Sequence, residues 1–268
     1  MVFDDEKLHG GSKMAKIISF ANQKGGVGKT TSAVNIAASL GVLGNRVLLI
    51  DLDPQGNATS GVGVAKKQLK YTSKDVLMGE IAAKDAVIEL EYDNLSLIPT
   101  NISLAGAEFE LFDTFEVDAP NCMKKALEPL ADDYDYIVID CPPSLSMLTI
   151  NAFTASDGII VPMQCEYYAL EGLSQLMMTI KGIKQKYNKN LTVAGILITM
   201  YNPHLLLSKQ VIGDLRKHYM DKLFKSTISR GVKVTEAPGY GKPVYYYDKN
   251  AKGSKEYLDV ARELAERM

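Results

Sequence analysis

Nine consecutive residues, Gln23-Lys24-Gly25-Gly26-Val27-Gly28-Lys29-Thr30-Thr31, combine glycines, lysines and threonines in the way a phosphate cradle needs. Glycines let successive backbone N–H groups turn toward one anion, and a helix opened by the loop adds its partial positive charge. Lys29 would set an ammonium against the β- and γ-phosphates of a nucleotide, and the Thr30 hydroxyl would ligate Mg2+. The common pattern G-x-x-x-x-G-K-[ST] would need glycine where Gln23 stands, and this loop carries a second lysine, Lys24. A chance glycine-rich turn is the plain alternative. The strand-like run before the loop and the helical run after it weigh against that.

Two acidic strand ends accompany the loop. In Leu48-Leu49-Ile50-Asp51-Leu52-Asp53-Pro54 the period of two puts Asp51 and Asp53 on one side, and Pro54 stops the strand. Tyr136-Ile137-Val138-Ile139-Asp140 ends in the same way before Cys141-Pro142-Pro143. Ligands of doubly wound sheets bind at the carboxyl ends of strands, so these acids and the loop are expected to converge. A single acid there would more often cap a turn. Before residue 200 the only arginine is Arg46, which begins its strand at the far end. Phosphoryl transfer needs γ-phosphate charge neutralised, so Lys24 is the candidate substitute, crossing a dimer interface to the partner's nucleotide.

The elements that must position these groups alternate. Ile17–Ala21, Val47–Ile50, Leu95–Ile98, Tyr136–Ile139, Gly158–Val161 and Val193–Thr199 read as strands, several apolar without alternation. Thr30–Leu43, Met123–Ala131, Leu170–Tyr187 and Leu207–Tyr219 have helical spacing. That order predicts an α/β fold of three layers, a mostly parallel twisted sheet with helices on both faces. Residues 1–13 match no element and read as an extension, leaving 14–268 as one domain, with 61–120 its least regular stretch. Apolar residues at 46% and charged residues at 23% exclude a disordered or low-complexity chain. No run approaches the ~20 apolar residues of a membrane span, and the start has no apolar signal region, as in a cytoplasmic protein. Cys122, Cys141 and Cys165 lie far apart, without the spacing of a disulfide framework or zinc knuckle. His9 and His218 lack a second ligand at metal spacing, and Met177-Met178 reads as helix packing.

Charge is unevenly placed. From Tyr201 onward 13 Lys/Arg stand against 8 Asp/Glu, whereas the preceding residues carry 17 against 24. A basic C-terminal quarter suits a polyanionic partner, or else an ordinary solvated face.

The motifs Lys24-Gly-Gly-Val-Gly-Lys-Thr-Thr31, Asp51-Leu-Asp-Pro-Gln-Gly-Asn-Ala-Thr59, Asp140-Cys-Pro-Pro143 and Glu236-Ala-Pro-Gly-Tyr-Gly-Lys-Pro243 resemble the ParA/Soj family of chromosome- and plasmid-partitioning ATPases. The likeness runs from about Met14 to the C-terminus and is nearest the chromosomal Soj branch. It implies ATP and Mg2+ as cofactors, contacted by Lys24, Gly25, Gly26, Val27, Gly28, Lys29, Thr30 and Thr31. Lys24 corresponds to the signature lysine that reaches the other subunit's nucleotide. Thr30 would bind Mg2+, Asp53 would orient the attacking water near the metal, Asp140 would hold the Mg2+ shell through water, and Asn202 would read adenine. The resemblance also implies an ATP-bound homodimer on the nucleoid that binds double-stranded DNA without sequence preference. A ParB-like partner would stimulate an otherwise slow hydrolysis.

Lys209 and Arg216, seven apart on one helix, share a face opposite Val211, Ile212 and Leu215, and Arg230, Lys233 and Lys252 extend the basic set. Such groups suit phosphate contacts rather than base reading. In the family an arginine commonly occupies the position of His204 and another that of Lys233, and a neutral His204 attracts phosphate less near pH 7.

Three rivals share the nucleotide motifs. A MinD-like membrane- or cargo-positioning ATPase would need a basic, bulky amphipathic tail, but Lys255–Met268 has no Trp or Phe and carries Glu256, Asp259, Glu263 and Glu266. That tail is expected to pack on the body, without a stable membrane anchor. A bacterial tyrosine kinase would carry tyrosines at the extreme tail, whereas Tyr245-Tyr246-Tyr247 precedes further elements and reads as a strand or its edge. An iron–sulfur reductase would need paired interface cysteines that this chain lacks.

Overall fold

The computed structural model describes residues 14–268, so the extension read at 1–13 lies outside them. The strands are β1 (Lys16–Phe20), β2 (Val47–Asp51), β3 (Ile88–Glu89), β4 (Leu95–Ile98), β5 (Tyr136–Asp140), β6 (Gly158–Met163) and β7 (Thr192–Ile198). They form one sheet in the order β3-β4-β2-β5-β1-β6-β7. All neighbours are parallel except β3, a two-residue strand antiparallel to β4. The α/β architecture is therefore as the alternation of elements requires.

The helices in chain order are α1 (Lys29–Val42), α2 (Asn57–Gly61), α3 (Ser73–Leu77), α4 (Ala107–Phe115), α5 (Cys122–Leu127), α6 (Met147–Ala155), α7 (Ala169–Lys186), α8 (Leu206–Tyr219), α9 (Val232–Glu236), α10 (Val244–Tyr247) and α11 (Lys252–Arg267). β2, β5 and β6 are buried at every residue, which explains their unbroken apolar runs. Period two then sorts their side chains into two cores. Leu48, Ile50, Ile137, Ile139, Ile159 and Val161 pack on one face, under α5, α6, α7 and α8. Val47, Leu49, Val138, Ile18, Phe20 and Ile160 pack on the other, under α1 and α11. Leu173, Leu176, Ile180 and Ile183 show the helical spacing that seats α7 on the first core.

The six strands read from the sequence are all present, with ends displaced by at most two residues. Three features differ. Helix α6 carried no readable period because Leu148, Thr149 and Asn151 through Ala155 are all buried, so no polar face marks it. The run read as a helix to Ala131 ends at Leu127 and continues as a 3-10 turn, since Pro129 has no N–H to give an α-helical bond. Tyr245-Tyr246-Tyr247, read as a strand or its edge, is instead the helical turn α10 that follows Pro243. Packing overrides β-propensity there: the Tyr246 hydroxyl donates to Asp93 Oδ2 and accepts from the Asp93 N–H, and its ring lies against Tyr92.

Helix α11 buries Tyr257, Val260, Ala261 and Leu264 against α1, so the C-terminal tail packs on the body as expected. Among the described residues no helix is long and apolar enough to cross a membrane.

Candidate functional site

β1 ends at Phe20, and the chain turns through the glycine-rich loop into α1 at Lys29. Gly26 and Gly28 take φ of 74° and 84°, the left-handed region that side chains disfavour. The loop's carbonyls are held from neighbouring strand ends. Gln164 Nε2 donates to the Gly26 carbonyl at 2.8 Å, and Thr199 Oγ1 donates to that of Val27 at 2.7 Å. Lys29 Nζ donates to the Lys24 carbonyl at 3.3 Å. Burial pulls the Lys29 ammonium below its usual pKa, while the charges of Asp140, Asp53 and Cys141 pull it back up. Lys24 reaches out of the loop and forms an ion pair with Glu166 of its own chain.

The two strand-end acids do converge on the loop. Asp51 and Asp140 are register partners on adjacent strands, β2 and β5, and β1 lies on the other side of β5. Both are fully buried, yet their environments differ. Asp51 Oδ2 accepts from Thr59 N and Thr59 Oγ1, both at 2.7 Å, and Oδ1 accepts from Asp53 N at 3.2 Å. Burial pushes its carboxyl up to about 6, against the pull of those donors. Neither oxygen of Asp140 has a hydrogen-bond partner among the described residues. Burial, then the Asp51 charge, drives the Asp140 carboxyl well above the usual range. The nearby Thr30 hydroxyl, outside hydrogen-bond geometry, and the Lys29 ammonium offset this in part. Asp53 follows the strand, is buried, and accepts from Gln55 N at 2.9 Å.

A hollow of about 370 Å³ adjoins Gly28 and Thr31, walled by Met200, Ile228, Arg230, Val234 and Pro238. Asn202 is not part of that wall; it is exposed, and its Oδ1 accepts from His204 N at 3.0 Å. Within Ile228–Pro238 the sequence singled out Arg230 and Lys233 only as basic groups, and Glu236-Ala-Pro-Gly-Tyr240 flagged the end of the stretch; that it walls the hollow escaped sequence reasoning. Gln164, Thr199, Thr59 and Glu166 escaped it too. Gln164 and Thr199 left one signal, a polar residue at the carboxyl end of an apolar strand.

The basic residues separate by element. Lys209 and Arg216 are exposed on α8, with no carboxylate partner among the described residues. Arg230 is exposed and lies against the Met200 sulfur at 3.7 Å. Lys233 pairs with Glu236 at 3.2 Å and Lys252 with Glu256 at 3.6 Å. Helix α8 serves the first core and α11 the second, so the five do not line one helix face. Cys122, Cys141 and Cys165 are free thiols.

Comparison with known proteins fits this geometry. A family profile described as an AAA domain matches residues 15–193. The sporulation initiation inhibitor protein Soj of Bacillus subtilis (strain 168) is 48% identical over 252 residues, covering 94% of this chain and 99% of that one. The chromosome partitioning protein ParA of Caulobacter vibrioides is 46% identical over 254 residues, 94% of each chain. Among solved structures, a cobyrinic acid a,c-diamide synthase from Mycobacterium smegmatis with bound ADP and magnesium superposes with a TM-score of 0.82, at 35% identity over 94% of both chains. With nearly half of its residues shared along almost the whole of these relatives, the chain belongs to the ParA/Soj family of partitioning ATPases.

Proposed function

We propose that the chain hydrolyses ATP with Mg2+, that ATP pairs two copies across the nucleotide face, and that the pair holds duplex DNA until a ParB-like partner speeds hydrolysis. The observation that carries this reading is Asp140. A buried carboxylate with two unpartnered oxygens, beside Lys29 and the Thr30 hydroxyl, wants a cation and its water. Among the described residues no cluster of three or more His, Cys, Asp or Glu could cage a metal. That suits Mg2+, which keeps waters and phosphate oxygens in its shell and takes few protein ligands. Held near Thr30 and Asp140, Mg2+ would supply positive charge to offset that of the phosphates.

The protein's own groups then divide the work. Backbone N–H groups from Gly25 to Thr31 wrap the phosphates, and Lys29 places its ammonium on them. Thr30 would give its hydroxyl to the metal, and Asp140 would hold a water of the metal. Asp53 orients the attacking water near the metal. Asn202 reads adenine from the loop after β7, two residues on from Met200 in the wall of the hollow.

Tyr167, Tyr168, Leu205 and Leu206, all exposed, follow β6 and β7 at the loop's end of the sheet. An apolar rim around the loop supports pairing there, with Lys24 leaving Glu166 for the partner's phosphates. The loop itself supplies two cations, Lys24 and Lys29, and unaided turnover is slow. Lys209, Arg216, Arg230, Lys233 and Lys252 hold DNA through phosphates, and the first three, with no carboxylate partner among the described residues, contribute most. Binding of this kind would place the protein on the nucleoid. The MinD-like alternative is disfavoured by α11, whose apolar side is spent on α1.

The test is particle mass by light scattering in ADP and in ATP, with ATPase rates measured alone, with DNA and with a candidate partner. Dimers in ATP only, lost in Lys24→Ala, are expected; monomers in both nucleotides would refute the reading. Log Kd for duplex DNA should change linearly with log salt, and a flat plot would exclude phosphate contacts.

A further inference from the structure

Residues 85–123 contain nine Asp/Glu and neither Lys nor Arg. Within this stretch α4 turns Ala107 and Leu111 into the core and leaves Phe109 and Phe112, three apart on one face, outside. These rings are 79% and 64% exposed, and Val117 in the following turn is 90% exposed. Large apolar side chains grouped at this exposure mark a surface that something covers. A hollow of about 630 Å³ opens among Phe112, Val117, Met147 and Tyr187. Asp113 and Glu116 stand on its rim, and the rim's one cation, Lys186, lies over the Tyr187 ring at 4.9 Å. Glu110 and Asp118 are neutralised by Lys74 and Lys125, whereas Glu108, Asp113 and Glu116 have no ion-pair partner among the described residues.

We propose that this face docks a cationic amphipathic segment of a protein partner. One bulky apolar side chain seats in the hollow against Phe112 and Tyr187, and lysines or arginines of the segment meet Asp113 and Glu116. Charge selects this occupant. Nucleic acid and anionic lipid would be repelled by the same carboxylates, and a second copy would oppose acid to acid. The hollow supplies the pocket that an apolar anchor needs, and the acidic rim sets its register. The occupant would touch Met147, the first residue of α6, on the chain that leaves Asp140. The proposal stands apart from the nucleotide reading and is tested without nucleotide.

The probe is a fluorescent peptide of leucine and lysine, about 18 residues long, with leucine at i, i+3, i+4 and i+7. Its anisotropy is followed against the full chain, beside a glutamate-for-lysine counterpart. Wild type should bind the cationic peptide only, with hydrogen-exchange protection on 107–120 and around Tyr187. Phe112→Ser and Val117→Ser should each raise Kd roughly tenfold or more, while circular dichroism and Tm stay unchanged because both side chains are exposed. The double variant Asp113→Asn/Glu116→Gln should raise Kd by a similar factor and flatten its salt dependence. Asp221→Asn, a distant exposed acid, should change nothing. Equal binding by all variants, or protection confined to another surface, would overturn the proposal. So would self-association or binding to phosphatidylserine vesicles that Phe112→Ser abolishes.

Discussion

Asp51 and Asp140 end adjacent strands with the same Ile-Asp dipeptide, and both are withdrawn from water, yet they do different things. Asp51 is saturated by Thr59 and Asp53, and Thr59 Oγ1 in turn accepts from Thr100 N at 2.9 Å. It is a clamp that fixes the turn carrying Asp53. Thr59→Val should therefore cost about 1–3 kcal/mol in urea unfolding, because it strips donors and acceptors from buried groups. Asp53 is the opposite case, the group that the proposed function assigns to orienting the attacking water. Asp53→Ala should keep ATP binding, read by nucleotide fluorescence, and lose roughly a hundredfold or more in hydrolysis. Equal losses in binding and turnover would assign Asp53 a structural part instead.

At the level of elements, the site depends on strand ends being held in register around the loop. β7 is the critical edge, since Thr199 just beyond it grips the Val27 carbonyl. A Cβ on Gly195, inside β7, would run into the Phe224 ring, so strand and following segment can pack only with glycine there. Gly195→Ala is expected to cost about 1–3 kcal/mol by overpacking. Adding Phe224→Leu should recover part of that loss, a coupling read from the double-mutant cycle. Helix α6 is tied in by Asn151, whose Oδ1 accepts from Met123 N at 3.0 Å and whose Nδ2 donates to the Ala119 carbonyl at 2.8 Å. Asn151→Leu would leave both backbone groups buried and unpaired, costing about 2–4 kcal/mol in the same assay.

For the molecule as a whole, α11 closes the second core and fastens the segment after β7. Glu263 accepts from Lys225 N and Ser226 N and pairs with Arg267 at 2.6 Å. Burial alone would raise its carboxyl, but these donors hold it below the ordinary 4.5. A lowered folded pKa stabilises above the unfolded value and is lost as pH falls through the folded one. The stability advantage of wild type over Glu263→Gln should be full above the ordinary carboxyl value of 4.5 and fade as pH falls through the lowered folded one. Because Tyr257, Val260 and Leu264 cover α1, removing residues 252–268 should abolish cooperative unfolding and nucleotide binding together. Liposomes should not sediment the intact protein in ATP; sedimentation would restore the membrane alternative.

The sequence by itself determined the loop, its helix, the acidic strand ends and the mostly parallel character of the sheet. Each of these depends on backbone freedom and side-chain period within a few residues, which neighbours in the chain control. Tertiary structure decided which acid is saturated and which has no hydrogen-bond partner among the described residues, because Asp140 comes near Thr30 and Lys29 only once β5 and β1 lie side by side. It also decided that Lys24 meets Glu166, that Ile228–Pro238 walls the hollow, and that α6 is a helix without a polar face. Those outcomes follow from which surfaces the sheet order brings together, and in α6 burial of nearly every residue erases the pattern that would have announced the helix.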